Sequence, residues 1–128
     1  MFDLASFARV LAFAVVYAGI EYRYLNRYEK AFPSERPVFG LIMPYHLFFL
    51  LPLFIITSYT PAVTAWAGNV LSLAVAEDIV YFAWRGKAVS RQDWTANLVG
   101  SFDAGGTAVP YWWIICGLVA AAVFLVSF

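Results

Sequence analysis

Three ionisable side chains, His46, Glu77 and Asp78, fall inside long apolar stretches of this sequence. Titratable groups are costly in a nonpolar environment, and where they occur they bind ions, relay protons or pair with one another. Glu77 and Asp78 are adjacent, so on a helix their side chains point about 100° apart. The two carboxylates therefore face different neighbours, and only one of them can point squarely into a helix bundle.

A buried carboxylate either accepts hydrogen bonds from nearby donors or takes up a proton. Tyr17 in the first apolar stretch and Tyr81, one helical turn beyond Glu77, are donors at a similar predicted depth. Two roles stay open for Glu77 and Asp78: structural carboxylates held by such donors, or a working site for protons, cations or a polar headgroup. The candidate residues for that site are Glu77, Asp78, His46 and Tyr17.

His46 lies between Pro44 and Pro52 in the second apolar stretch. Because proline lacks an N–H, both prolines predict a kinked helix with free carbonyl acceptors. His46 then either donates to a nearby carbonyl or hydroxyl, or joins a carboxylate in a proton relay or a metal pair. Two ligands fall short of a closed metal site, and Glu21 adds a third only if the helices tilt strongly, so no metal site is predicted.

The composition places these groups in a membrane protein. Of 128 residues, 63% are hydrophobic and 12% charged, whereas a soluble domain has about half apolar and about a quarter charged residues. Eight basic and eight acidic residues cancel, which argues against a basic nucleic-acid-binding surface. The single cysteine and single histidine exclude an internal disulfide, a multi-cysteine metal centre and bis-histidine haem within this chain. The sequence identifies no cofactor.

Four apolar stretches are each long enough to cross a bilayer as a helix, which takes about 20 residues. We predict an all-α bundle of four transmembrane helices in a single transmembrane domain, 1–128, because helices satisfy their own backbone groups in lipid. The predicted helices cover about 4–22, 37–56, 61–84 and 110–128.

The connection between the third and fourth predicted helices is unusually long. Its Ser90-Arg91-Gln92-Asp93 run resembles a capping box, which predicts a short amphipathic helix at 90–99 in the cytoplasmic interface. The residues 101–107 that follow then turn the chain back.

Small residues four positions apart predict the faces on which these helices touch, because helix association in lipid depends on close packing. Such pairs and triplets are Ala8-Ala12, Ala14-Ala18, Gly68-Ser72-Ala76 and Gly117-Ala121.

The distribution of lysine and arginine predicts the orientation. Seven of the eight cations lie in the two connections 23–36 and 85–91, and 57–60 contains none. Short basic loops stay in the cytoplasm. We therefore predict a multi-pass protein of the cell membrane with both termini outside the cytoplasm.

Arg23 and Arg27 alternate with tyrosines just after the first predicted helix. This pattern is typical of an interfacial aromatic and basic belt. Alternatively, the two arginines bind anionic lipid headgroups.

Two functions are compatible with these features. The first is a non-catalytic integral membrane subunit of a larger complex of respiratory or oxygenase type, because the helices are aromatic-rich and the catalytic constellation is incomplete. The alternative is a small homo-oligomeric transporter, channel or membrane enzyme built around Glu77, Asp78 and His46. The expected partners are membrane lipids, other membrane subunits or copies of the chain, and not nucleic acid.

Overall fold

The chain is mostly helical in a computed structural model that describes residues 3–25, 45–91 and 93–127. A π-helical turn, Glu21–Leu25, follows the first helix, and a π-helical segment, Tyr45–Leu50, precedes the second. The five α-helices of the described ranges are α1 (Leu4–Ile20), α2 (Leu51–Thr57), α3 (Val63–Arg85), α4 (Trp94–Asn97) and α5 (Tyr111–Ser127). Two strands, β1 (Ser101–Ala104) and β2 (Thr107–Pro110), form a hairpin between α4 and α5.

The predicted helices at 4–22, 61–84 and 110–128 match observed helices to within a few residues. Of the predicted helix at 37–56, the part before Tyr45 lies outside the described residues. Among the described residues, two helices, Leu4–Tyr24 and Val63–Arg85, are long and apolar enough to cross a membrane. Tyr111–Ser127 and Phe48–Thr57 are shorter apolar helices.

The irregular segment before α2 has a chemical cause. Pro52 has no N–H to donate to the preceding turn, so the α-helical ladder is interrupted there. Tyr45–Leu50 takes up π-helical geometry, whose hydrogen bonds span one residue more, and regular α-helix begins at Leu51. The disturbance predicted at Pro52 is thus a change of helical geometry, while Pro44 lies outside the described residues.

The central helix is α3, which packs against both α1 and α5. It runs parallel to α1, because Asn69 meets Ser6 near the start of both helices and Trp84 meets Gly19 near their ends. It runs antiparallel to α5, whose last residue, Ser127, donates a hydrogen bond to Thr64 over 2.8 Å. The first and last described residues therefore lie at one end of the bundle.

The burial of the small residues shows which of the predicted stripes lie where helices touch. Ala14 and Ala18 are buried on α1, whereas Ala8 and Ala12 are exposed. On α3, Gly68 lies directly against the ring of Phe124. Gly117, in the predicted Gly117-Ala121 face, makes no such contact with the described residues, because none of them lies within 4 Å of where a Cβ on Gly117 would be. The main core cluster joins α1, α2, α3 and the segment before α2 through Val10, Ala14, Tyr17, Leu50, Phe54 and Leu73.

A polar network closes the end of the bundle that carries the 57–60 loop. The buried amide of Asn69 donates to Ser6 Oγ over 3.0 Å and to the Ser58 carbonyl over 3.2 Å. Arg9 donates to the Tyr59 carbonyl over 2.5 Å. These bonds fix the loop against α1 and α3.

Replacing Asn69 with alanine is expected to destabilise the bundle by about 1–3 kcal/mol, because buried acceptors lose their donor. The control is Asn97→Ala, since the exposed Asn97 amide also donates to two backbone carbonyls, at 2.8 and 3.1 Å. Water replaces those bonds, so this control should cost only a few tenths of a kcal/mol. Thermal unfolding in detergent measures the stability of both variants. Equal losses of stability would contradict a stabilising role for the buried network.

The connection 86–110 forms a compact cap on the other end of the bundle, and we call it the hairpin cap. Gly105 and Gly106 have φ of 59° and 83°, as a two-residue primed turn requires. The outer edge of β2 is covered, because Ala108 N–H donates to the Val89 carbonyl over 2.9 Å. Beneath the strands, Val89, Ala96 and Ala108 form a second small core against Phe82 and Trp113.

The interfacial helix predicted at 90–99 is much shorter, covering Trp94–Asn97. The Ser90–Asp93 contact does form, with the Ser90 N–H donating to Asp93 Oδ2 over 2.8 Å. It closes a turn rather than opening a helix, because Asp93 N–H donates back to the Ser90 carbonyl. The helix begins only after that turn, and Gly100 with a φ of 91° follows shortly after its end.

Candidate functional site

Glu77 is the most deeply buried of the predicted site residues, with 4% of its surface exposed. It continues a buried row on α3 formed by Ala65, Asn69 and Leu73, because residues four apart share one face of a helix. The π-helical turn that begins at Glu21, after α1, packs against the same helix. The Oε1 atom of Glu77 is buried and has no hydrogen-bond partner in the described ranges.

Asp78 faces a different neighbour, as expected from its position one residue on. Its Oδ2 atom accepts from the Thr95 hydroxyl over 2.5 Å and from the Trp113 indole N–H over 2.7 Å. Thr95 in turn accepts from the Trp112 indole over 2.9 Å. Asp78 therefore connects α3 to α4 and α5, an arrangement that favours a structural role for this carboxylate.

Tyr17 belongs to the main core cluster. Tyr17 is buried, stacks on Phe13 with ring centroids 5.4 Å apart and meets the edge of Phe54 at 6.1 Å. His46 is half-buried on the π-helical segment, one turn before the core residue Leu50. Glu77 and Asp78 are adjacent on α3 but face different neighbours, while a pairing of His46 with either carboxylate stays a prediction. Within the described ranges, no group of three or more His, Cys, Asp or Glu residues is placed to hold a metal ion.

The two lipid-headgroup candidates lie after α1. Arg23 is exposed on the π-helical turn, where its neighbour Tyr22 meets the edge of Tyr81 at 6.1 Å. Arg27 lies outside the described residues. Headgroup binding by this pair stays a prediction.

Two ion pairs hold the hairpin cap. Arg85 Nη1 and Nη2 donate to the two carboxylate oxygens of Asp93 over 2.9 and 3.0 Å, and this pair is mostly buried. Arg91 binds Asp103 at 2.7 Å on the exposed side of the hairpin. The Arg85 guanidinium holds the pKa of the Asp93 carboxyl below its ordinary value of 3.8, with help from the Ser90 N–H and against the effect of burial.

No known protein family, curated protein or solved structure matches this chain. The function is therefore inferred from the positions of these residues.

Sequence reasoning missed several members of the site. Trp112 and Trp113 carry a usable signal, because indole N–H groups that become buried need acceptors. Thr95 carried no distinguishing signal in the sequence.

The Arg85–Asp93 pair predicts a specific response to acid. A lowered carboxyl pKa contributes stability that is complete above the ordinary value and is lost as the pH falls through the folded-state value. The midpoint of thermal unfolding in detergent should therefore fall below about pH 4. Asp93→Asn should be less stable at neutral pH and should show a smaller acid-dependent fall. If the unfolding midpoints of the wild type and Asp93→Asn fell in parallel as the pH is lowered, the Arg85–Asp93 pair would not be the source of the acid response. Asp103→Asn, at the exposed pair, is the control.

Proposed function

We propose that this chain is a non-catalytic integral membrane subunit of a larger membrane protein complex of respiratory or oxygenase type. It crosses the membrane four times, with both termini outside the cytoplasm. The observation that carries the proposal is the surface of α5, where Leu118, Leu125 and Val126 are 67%, 74% and 77% exposed. A helix with so much apolar surface needs lipid or other helices around it.

The placement of polar groups supports the same proposal. In the described ranges, the hydrogen bonds of Asn69, Asp78 and Arg85 serve to hold loops and helices together, as expected of a structural subunit. The hairpin-cap end of the bundle carries the cations Arg85, Lys87 and Arg91. The 57–60 loop lies at the opposite end, together with the first and last described residues. This separation agrees with a cytoplasmic hairpin cap.

The test is the composition of the complex in the membrane. The tagged chain is crosslinked in native membranes, extracted in mild detergent and examined by native mass spectrometry together with an uncrosslinked sample. We expect stoichiometric association with other membrane proteins in both samples. A lone tagged chain, without partners in either sample, would contradict the proposal, because crosslinking before extraction captures partners that detergent removes.

A second candidate function is a small homo-oligomeric transporter, channel or membrane enzyme that uses Glu77. It is favoured by one observation, the buried Oε1 of Glu77 that lacks a donor among the described residues. Glu77→Gln and Asp78→Asn are compared in reconstituted vesicles, where this function predicts lost proton or cation flux in Glu77→Gln. Unchanged flux in both variants would remove it.

A further inference from the structure

One face of the hairpin points away from the small core beneath the strands. In an antiparallel pair, residues directly opposite each other share a face, and neighbours along a strand alternate between the two faces. Ala108 lies in the small core. The residues next to it in β2, with their partners in β1, therefore lie on the opposite face. We call them the outer hairpin face: Phe102, Ala104, Thr107 and Val109.

The four residues of the outer hairpin face are uncharged, although an antiparallel sheet with one face in water carries polar residues on that face. Asp103 alternates to the other side and pairs with Arg91. The hydroxyl of Thr107 donates to the Val89 carbonyl over 3.3 Å. Phe102 nevertheless is 37% exposed. The composition of this face therefore indicates apolar surroundings and not water.

The outer hairpin face continues the exposed side of α5. Phe102 lies against Tyr111, the first residue of α5, with ring centroids 5.7 Å apart. Four more exposed residues follow Tyr111 at spacings of four and three, which keeps them on one side of the helix. They are Ile115, Leu118, Ala122 and Leu125. The hairpin face and this row of α5 therefore meet the same surroundings.

The length of α5 places Tyr111 at the edge of the hydrocarbon core. The 17 residues Tyr111–Ser127 rise about 25 Å at about 1.5 Å per residue. A typical hydrocarbon core is about 30 Å thick, so α5 alone is short for a crossing. Apolar surface beside Tyr111 would make up the missing length, and the outer hairpin face lies there.

The end of α3 marks the same level. Phe82 meets Trp113 with ring centroids 6.3 Å apart. Because α3 and α5 are antiparallel, Tyr111 lies close to the level of Trp84, two residues beyond this contact on the other helix. Trp84 is exposed in the last turn of α3, and such aromatic residues are typical of the membrane interface. Phe102 therefore lies at the depth where headgroups meet acyl chains.

We propose that the outer hairpin face is a lipid-contact surface at the boundary between headgroups and acyl chains of the cytoplasmic leaflet, with Phe102 inserted among the chains. The occupant is lipid because this face adjoins the row of α5 that crosses the membrane. The proposal rests on the proposed membrane-spanning function and deepens it. The hairpin extends the apolar length of α5 and holds the hairpin cap against the membrane surface.

Fluorescence quenching in lipid vesicles tests this surface. Phe102→Cys, Lys87→Cys and Leu118→Cys are made separately in a Cys116→Ala background of the full chain and labelled with a nitrobenzoxadiazole dye. The quenchers are phospholipids with doxyl groups on their acyl chains, and iodide on both sides of the vesicles. At Phe102 we expect quenching by shallow doxyl groups and several-fold less iodide quenching than at Lys87, which is exposed on the same cap.

Leu118, exposed near the middle of α5, separates failure of this proposal from failure of the proposed function. If doxyl lipids quench the label at Leu118 while iodide quenches the label at Phe102 as strongly as at Lys87, the lipid contact is wrong and the membrane span stands. If doxyl lipids do not quench the label at Leu118, the span is wrong, and the hairpin proposal fails with it. Ala104→Cys, at a small exposed position of the same face, takes the place of Phe102→Cys if that variant does not fold.

Photocrosslinking distinguishes lipid from a protein on this face. Benzoylphenylalanine is incorporated in place of Phe102, and native membranes, in which any partner subunit is present, are irradiated. We expect adducts with phospholipid. Adducts with another protein or with a second copy of the chain, in place of lipid adducts, would overturn the proposal.

Discussion

Replacing Gly68 with alanine is expected to destabilise the bundle by about 1–3 kcal/mol, because the core has no room for a methyl group there. A Cβ on Gly68 would lie 2.5 Å from Cε1 of Phe124 and 2.9 Å from its Cδ1 and Cζ. The ring also makes an edge-to-face contact with Phe7, with centroids 5.4 Å apart. Relief therefore requires the Phe124 ring to leave this contact or α3 and α5 to move apart.

Gly117→Ala is the matched control for this prediction. Both glycines lie inside long helices, so both substitutions gain the same helix propensity of about 1 kcal/mol. Of these two glycines, only Gly68 has a neighbour within 4 Å of the new methyl group among the residues that the structure describes. Gly117→Ala should therefore be neutral or stabilising.

The partner in the clash can be tested separately. In a Phe124→Ala background the ring is absent, so adding Gly68→Ala should cost much less than it does in the wild type. The four unfolding midpoints in detergent form a double-mutant cycle. Equal effects of Gly68→Ala in both backgrounds would show that α3 and α5 do not pack as described.

Replacing Asp78 with alanine is expected to cost about 3 kcal/mol, because a hydrogen bond to a charged group contributes about 1.5–3 kcal/mol and this carboxylate accepts two. The Thr95 hydroxyl and the Trp113 indole would both lose their acceptor. Since these bonds attach α4 and α5 to α3, the hairpin cap should also become more sensitive to protease. Unfolding midpoints and limited proteolysis in detergent measure the two effects.

Asp78→Asn separates the hydrogen bonds from the charge. The asparagine carbonyl can still accept from Thr95 and Trp113, so this variant should lose less than half as much stability as Asp78→Ala. Asp103→Ala is the control for removing a carboxylate from the same end of the bundle, because an exposed ion pair contributes little to stability. If Asp78→Ala cost no more than Asp103→Ala, the connecting role of Asp78 would be wrong.

Helix positions followed from the sequence because apolar runs of span length leave the backbone few alternatives. The faces on which the helices touch could not be predicted from the sequence. The pairs Ala8-Ala12 and Ala14-Ala18 have the same spacing, and only packing against α3 distinguishes them. The hydrogen bonds of Asp78 also depend on how α4 and α5 lie against α3. Neither feature is encoded in the spacing of residues along one helix.

The hairpin was missed for a different reason. A Gly-Gly pair between two short runs is a signal for a two-residue turn, but Ser101–Ala104 and Thr107–Pro110 are too short to show a clear alternating pattern. Their stability comes from the surrounding cap, through the Val89 carbonyl and the small core beneath β2. That support involves residues about 20 positions away along the chain.

Labelling of single cysteines from one side of the membrane tests most directly whether the chain spans the membrane with its hairpin cap in the cytoplasm. Tyr59→Cys and Lys87→Cys are made separately in a Cys116→Ala background, since Tyr59 and Lys87 are exposed at opposite ends of the bundle. A membrane-impermeant maleimide should label the Tyr59→Cys variant on intact cells and the Lys87→Cys variant only after permeabilisation. Labelling of both variants on intact cells, or recovery of the chain in the soluble fraction, would contradict a membrane-spanning chain with a cytoplasmic hairpin cap.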